Sequence, residues 1–216
     1  MKVATKPAAI VAALLLGALT CLSGCATTGM QRSEKTGATM QTVENDIRLA
    51  VAQVDVTGVS LADLVKPGQP DVKKAYGIYA ANVDKMENLG KKLLEHAEKM
   101  STQGKDYFEE WRKQGNKYTN PEIQALSEQR RSDLSAVFVK ISEASIGVKG
   151  AAKNYLSDIS EIRTYLSNDL TPKGVEAITP VSNKAVTDGE NLKGAVNGLL
   201  PAIVNARAEL AQGGTK

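Results

Sequence analysis

The chain has 216 residues, with 27 basic and 24 acidic side chains, a formal charge of +3 and only 4% aromatic residues. A charge so close to balance gives no bulk positive field, so no nucleic-acid partner is expected. Two cysteines are too few for a disulfide-stapled scaffold, and frequent alanine with few aromatics suits helices packed side by side.

The first 24 residues have the pattern of an export signal. Lys2 and Lys6 form a basic start, and Ala8 to Leu22 is a mostly apolar run. At about fifteen residues it is too short to span a bilayer core of about 30 Å as a stable helix. Leu22-Ser23-Gly24-Cys25 closes the run with the pattern of a bacterial lipobox: a branched apolar residue, two small residues that let a peptidase reach the backbone, and a thiol to carry the lipid. Cys25 is therefore the expected lipidation site, and two or more acyl chains there would make anchoring effectively permanent. Cys21 falls inside the signal, so the mature chain keeps no thiol for a disulfide, a metal or catalysis. Without Lys2 and Lys6 the 27 basic residues become 25, against 24 acidic ones, a charge of +1. Ala26 after the cysteine, where an aspartate would resemble an inner-membrane retention signal, favours an outer-membrane location facing the periplasm.

Residues 26 to 35 are polar and lack periodicity, so a short tether is expected from Cys25 to residue 35. A first helix is predicted over residues 36 to 65, with Met40, Ile47, Val54 and Leu61 at seven-residue steps and Val43, Ala50, Thr57 and Leu64 between them. Lys66-Pro67-Gly68-Gln69-Pro70 ends it. A second helix runs from an N-cap at Asp71 to Tyr118. Its rows are Val72, Tyr79, Met86, Leu93, Met100 and Tyr107, and beside them Tyr76, Val83, Gly90, Ala97, Gly104 and Trp111. The second row is small in its middle, which predicts close approach of another helix there.

Thr119 and Glu122 have capping-box spacing, and Pro121 is tolerated in a first turn. The third helix then reaches Asn168 on a stripe of Leu134, Phe138, Ile141, Ser145, Val148, Ala152, Tyr155, Ile159, Ile162 and Leu166. Helices two and three, each roughly 70 Å long, must fold back as an antiparallel hairpin with their seams against each other. A fourth helix starts after Thr171-Pro172, with Val175, Ile178, Ala185, Leu192, Val196, Leu199, Ile203, Ala206 and Leu210 on one face. Pro180 and Pro201 are expected to kink or interrupt it, and residues 213 to 216 to form a frayed, disordered end. The fold class expected is all-α: an elongated antiparallel bundle of three to four long helices with heptad, coiled-coil-like packing over residues 36 to 212.

Phe108-Glu109-Glu110-Trp111, then Tyr118 and Ser127-Glu128, and later Tyr165-Leu166-Ser167-Asn168-Asp169-Leu170 with Ala177-Ile178, resemble a bacterial family of predicted coiled-coil envelope proteins catalogued only as a domain of unknown function. The resemblance covers about residues 72 to 210. It implies a helical fold and no particular activity.

Candidate chemistry is sparse. His96 is the only histidine, and the residue three before it is Leu93, so the Glu-x-x-His pattern of a di-metal bundle is absent. Tyr76, Tyr79, Tyr107, Phe108 and Trp111 fit a core stripe better than a ligand box, and Glu109-Glu110 point in directions about 100° apart on a helix. Gly90 and Gly104 lie inside a helix pattern and form no phosphate loop. No catalytic residue, metal or cofactor is expected, and any ligand site is unknown. The expected function is that of a non-enzymatic envelope lipoprotein, a membrane-tethered helical module that binds or organises another envelope protein. The alternative is a membrane-active or pore-related helical protein.

Overall fold

The computed structural model describes residues 28–212, which form four long helices: α1 (Gly29–Val65), α2 (Val72–Gly115), α3 (Pro121–Asn168) and α4 (Pro172–Gln212). There is no strand among the described residues. Each helix packs on its neighbours in the order α1, α2, α3, α4 and back to α1, with no backbone contact across either diagonal. This is an up-down-up-down four-helix bundle, the topology that short turns enforce.

Local chemistry sets the helix ends. Thr28 caps α1 in a reciprocal box: its hydroxyl accepts from the Gln31 amide at 3.2 Å, and the Gln31 side chain accepts from the Thr28 amide at 2.9 Å. The helix therefore starts seven residues before the expected boundary, and most of the expected tether is its first two turns. What holds those turns is polar rather than apolar, so no hydrophobic period marks them. The Ser33 hydroxyl donates to the Leu210 carbonyl of α4 at 2.8 Å, and Thr36 and Thr39 are buried. Asp71 caps α2 by accepting from the Lys74 amide at 2.9 Å, as expected. α3 is capped by Asn120, which accepts from the Glu122 amide at 2.9 Å, in place of the expected Thr119 box. The Thr171 hydroxyl accepts from the Gly174 amide at 3.1 Å and opens α4.

All eight apolar-row positions of α1, from Met40 to Leu64, are buried. They pack mainly against α2 and α4, while α3 packs most closely on α4. The expected pairing of the α2 seam with α3 is the sparsest of the four contacts. In it, side chains of α3 enter the small row of α2: a Cβ on Gly90 would lie 3.3 Å from Leu156, and one on Gly104 3.2 Å from Phe138. The small residues thus receive bulky side chains, not a second backbone. Leu93, Ala97 and Met100, at the centre of α2, are only half-buried as a result.

α4 runs unbroken through Pro180 and Pro201, contrary to an interruption there. Both prolines are exposed, and so are Glu176 and Asn197, whose carbonyls lose an amide partner four residues on. Water satisfies a freed carbonyl on the outer face of a helix, and the loss is tolerated there.

Candidate functional site

The expected lipidation site, Cys25 with Leu22, Ser23 and Gly24, lies outside the described residues, as do the signal before it and residues 213 to 216. Its distance from the bundle is bounded by covalent geometry. Two residues lie between Cys25 and the α1 cap at Thr28, a reach of about 11 Å at most. The end of the bundle nearest that cysteine also carries the α2–α3 turn and the last turn of α4. The Ser33–Leu210 hydrogen bond and the Arg130–Glu209 ion pair at 3.4 Å fix this arrangement.

His96 is satisfied within the bundle: Nδ1 lies 2.5 Å from the Asp46 carboxylate of α1. Among the described residues no group of three His, Cys, Asp or Glu side chains is placed to hold a metal ion. Glu109 and Glu110 both turn to Lys113, at 3.1 and 3.0 Å, and this raises the lysine's pKa. The five aromatic residues do not form one box. Tyr76 and Tyr79 donate to the α3 carbonyls of Arg163 and Ile159, at 3.3 and 2.7 Å. Tyr107, Phe108 and Trp111 instead meet edge to face, with Phe108 against Phe138 at 4.9 Å, about 40 Å further along α2. Burial pushes the Tyr79 phenol well above its ordinary value and the Tyr155 phenol up to about 12. Neither is a usable acid or base at neutral pH.

One buried charge cluster was not anticipated. Glu44 of α1, 6% exposed, accepts from Arg48 at 2.9 Å and lies 2.9 Å from the Arg207 guanidinium of α4. The spacing Met40, Glu44, Ile47 places this carboxylate in the apolar row, which was the signal available in the sequence. Two cations hold it in place, and it pairs α1 with α4.

Two surface regions remain open. Midway along the opposite half of the rod, Val56, Val59 and Ile78 line a shallow α1–α2 groove bordered by Asp55, Asp63 and Asn82. At the α2–α3 turn, a cavity of about 320 Å³ is lined by Trp111, Arg112, Pro121, Gln124 and Arg131. Exposed Tyr118, Ile123 and Leu126 lie on the same turn. No described helix is long and apolar enough to cross a membrane. Comparison of the chain with protein-family models, with curated proteins and with solved structures finds no match.

Proposed function

We propose that the chain is a lipid-anchored envelope protein whose helical rod binds or organises another envelope component without catalysing a reaction. The observation that carries this reading is the Leu22-Ser23-Gly24-Cys25 motif closing a short apolar run directly before the bundle. A rod of 37 to 48 residues per helix, about 55 to 70 Å long, then starts within a few residues of the proposed anchor. The resemblance to helical envelope proteins is in keeping with it. So is the state of the polar side chains: His96 and Glu44 pair across helices within the bundle, and Glu109 and Glu110 pair with Lys113 on the exposed face of α2.

The location that goes with this reading is the periplasmic face of the outer membrane, and the partner is a protein met along a helical face. Complementation of the phenotype that deletion causes tests it. A periplasmic Cys25→Ala form should fail or work poorly, whereas lipidated His96→Ala and Glu110→Gln should work normally. A stably folded, correctly located His96→Ala protein without function would overturn the non-enzymatic reading.

A further inference from the structure

At mid-rod the four helices do not share the core equally. On α2 no residue from 91 to 103 is buried, and on α3 none from 142 to 154, although Gly90, Gly104, Ile141 and Tyr155 at the limits of these stretches all are. The Asp46–His96 and Thr39–Gln103 pairings set residues 39 to 51 of α1 beside the α2 stretch, and there Met40, Val43, Ile47 and Ala50 are buried. The Asp158–Lys184 pairing sets residues 188 to 200 of α4 beside the α3 stretch, with Leu192, Val196 and Leu199 buried. The middle of the core thus belongs to α1 and α4. α2 and α3 close it with half-buried Leu93, Ala97, Met100, Ala144, Val148 and Ala152.

Nothing polar ties that closure: among the described residues no hydrogen bond or ion pair joins the two stretches. Both ends of the seam, in contrast, are held. Toward the α1–α2 turn, Tyr76 and Tyr79 donate to the α3 backbone, and Arg163 of α3 lies 2.5 Å from Asp84 and 3.0 Å from Glu87. Toward the α2–α3 turn, the Trp111 indole donates to the Ser127 hydroxyl at 3.0 Å and Phe108 meets Phe138. Between these clasps His96 and Gln103 tie α2 to α1, which leaves separation from α3 as its free direction. A seam closed by alanines and half-exposed side chains buries little apolar area, and hydrophobic stabilisation scales with that area. Regions with few buried apolar contacts open at a lower free energy than the whole fold.

We propose that the middle of the α2–α3 seam is a gate: the α1–α2 and α3–α4 pairs part there, between two standing clasps, and uncover the apolar residues of α1 and α4 while the helices stay folded. The gate is a property of the bundle and does not depend on lipidation of Cys25.

Thiol labelling of the full chain in mild detergent tests this, with the labelled sites identified peptide by peptide. Val43→Cys lies at the level of the gate and Val83→Cys beside the Tyr79 clasp. The parent valines are 1% and 0% exposed, so each thiol reacts only through an opening. Without urea, the thiol at position 43 should react with N-ethylmaleimide at least ~30-fold faster than that at position 83. Urea below the unfolding transition should barely change the first rate and should raise the second steeply, as global unfolding does. Val196→Cys repeats the first reading from α4 if Val43→Cys does not fold. Arg163→Gln, which loosens one clasp, should speed the reaction at position 83 several-fold and leave that at position 43 unchanged. Equal rates at the two positions, a shared urea dependence, or an equal Arg163→Gln effect at both would each overturn the gate.

Discussion

The Tyr79 hydroxyl of α2 donates to the Ile159 carbonyl of α3 at 2.7 Å, from a ring with no solvent exposure. α2 and α3 touch least of the neighbouring pairs, and this bond acts on their register together with those from Tyr76 to Arg163 and from Trp111 to Ser127 and the ion pairs of Arg163 with Asp84 and Glu87. Tyr79→Phe keeps the ring and should lower the unfolding free energy by about 1 kcal/mol. Tyr79→Ala also opens a cavity and should lower it by about 3 to 5 kcal/mol. Urea denaturation of the two variants checks both the order and the gap.

The same tyrosines predict alkaline sensitivity. Burial raises both phenols above the ordinary value of 10.0, Tyr155 to about 12. The folded core holds the neutral form, so this contribution is complete below pH 10 and is lost as pH rises from there through the folded value. Each tyrosine should then steepen the loss by up to about 1.4 kcal/mol per pH unit. Lys184, raised by Asp158 and Asp188, changes in the same direction at the surface. The discriminating comparison is with Tyr79→Phe/Tyr155→Phe, whose melting temperature should fall less between about pH 9 and pH 11 than that of the parent.

Two glycines should respond in opposite senses to alanine. A Cβ at Gly174 would sit 2.5 Å from the Asp169 carbonyl oxygen, inside the turn that joins α3 to α4, so Gly174→Ala must displace backbone and should destabilise by about 1 to 3 kcal/mol. A Cβ at Gly194 meets nothing within 4 Å, and Gly194→Ala should stabilise α4 by up to about 1 kcal/mol. Thermal melts of the pair give the signs directly.

Pro180 and Pro201 interrupt the hydrogen-bond ladder of α4 at exposed positions. Alanine at either site restores an amide donor without disturbing the core. Each substitution should raise stability, by at most about 3 kcal/mol. A fall in melting temperature for both would mean that proline shapes the helix in a way the packing needs.

The periodic part of this fold was legible because burial in a long bundle repeats every seven residues. Every apolar-row position of α1 is buried, and α3 begins and ends where its turn residues indicate. What the pattern missed is polar. The first turns of α1 are held by Thr28, Ser33 and buried threonines, and the α1–α4 contact includes Glu44 with Arg207. An apolar period cannot register such contacts. Pairing strength was also hidden: chain neighbours α2 and α3 were expected to share the main seam, but small residues at Gly90 and Gly104 admit only side chains there. The candidate lipid site rests on a local motif and the apolar run before it, and lies outside the described residues.

Cys25 is proposed to carry a lipid and to begin the mature chain. Intact-mass analysis of the protein extracted from membranes, with fragmentation of its amino-terminal peptide, tests it most directly. The expected product starts at Cys25 and carries a diacylglyceryl group on sulfur, with the 24 preceding residues removed. A chain that retains those residues, or one cleaved there with a free thiol, would contradict the account.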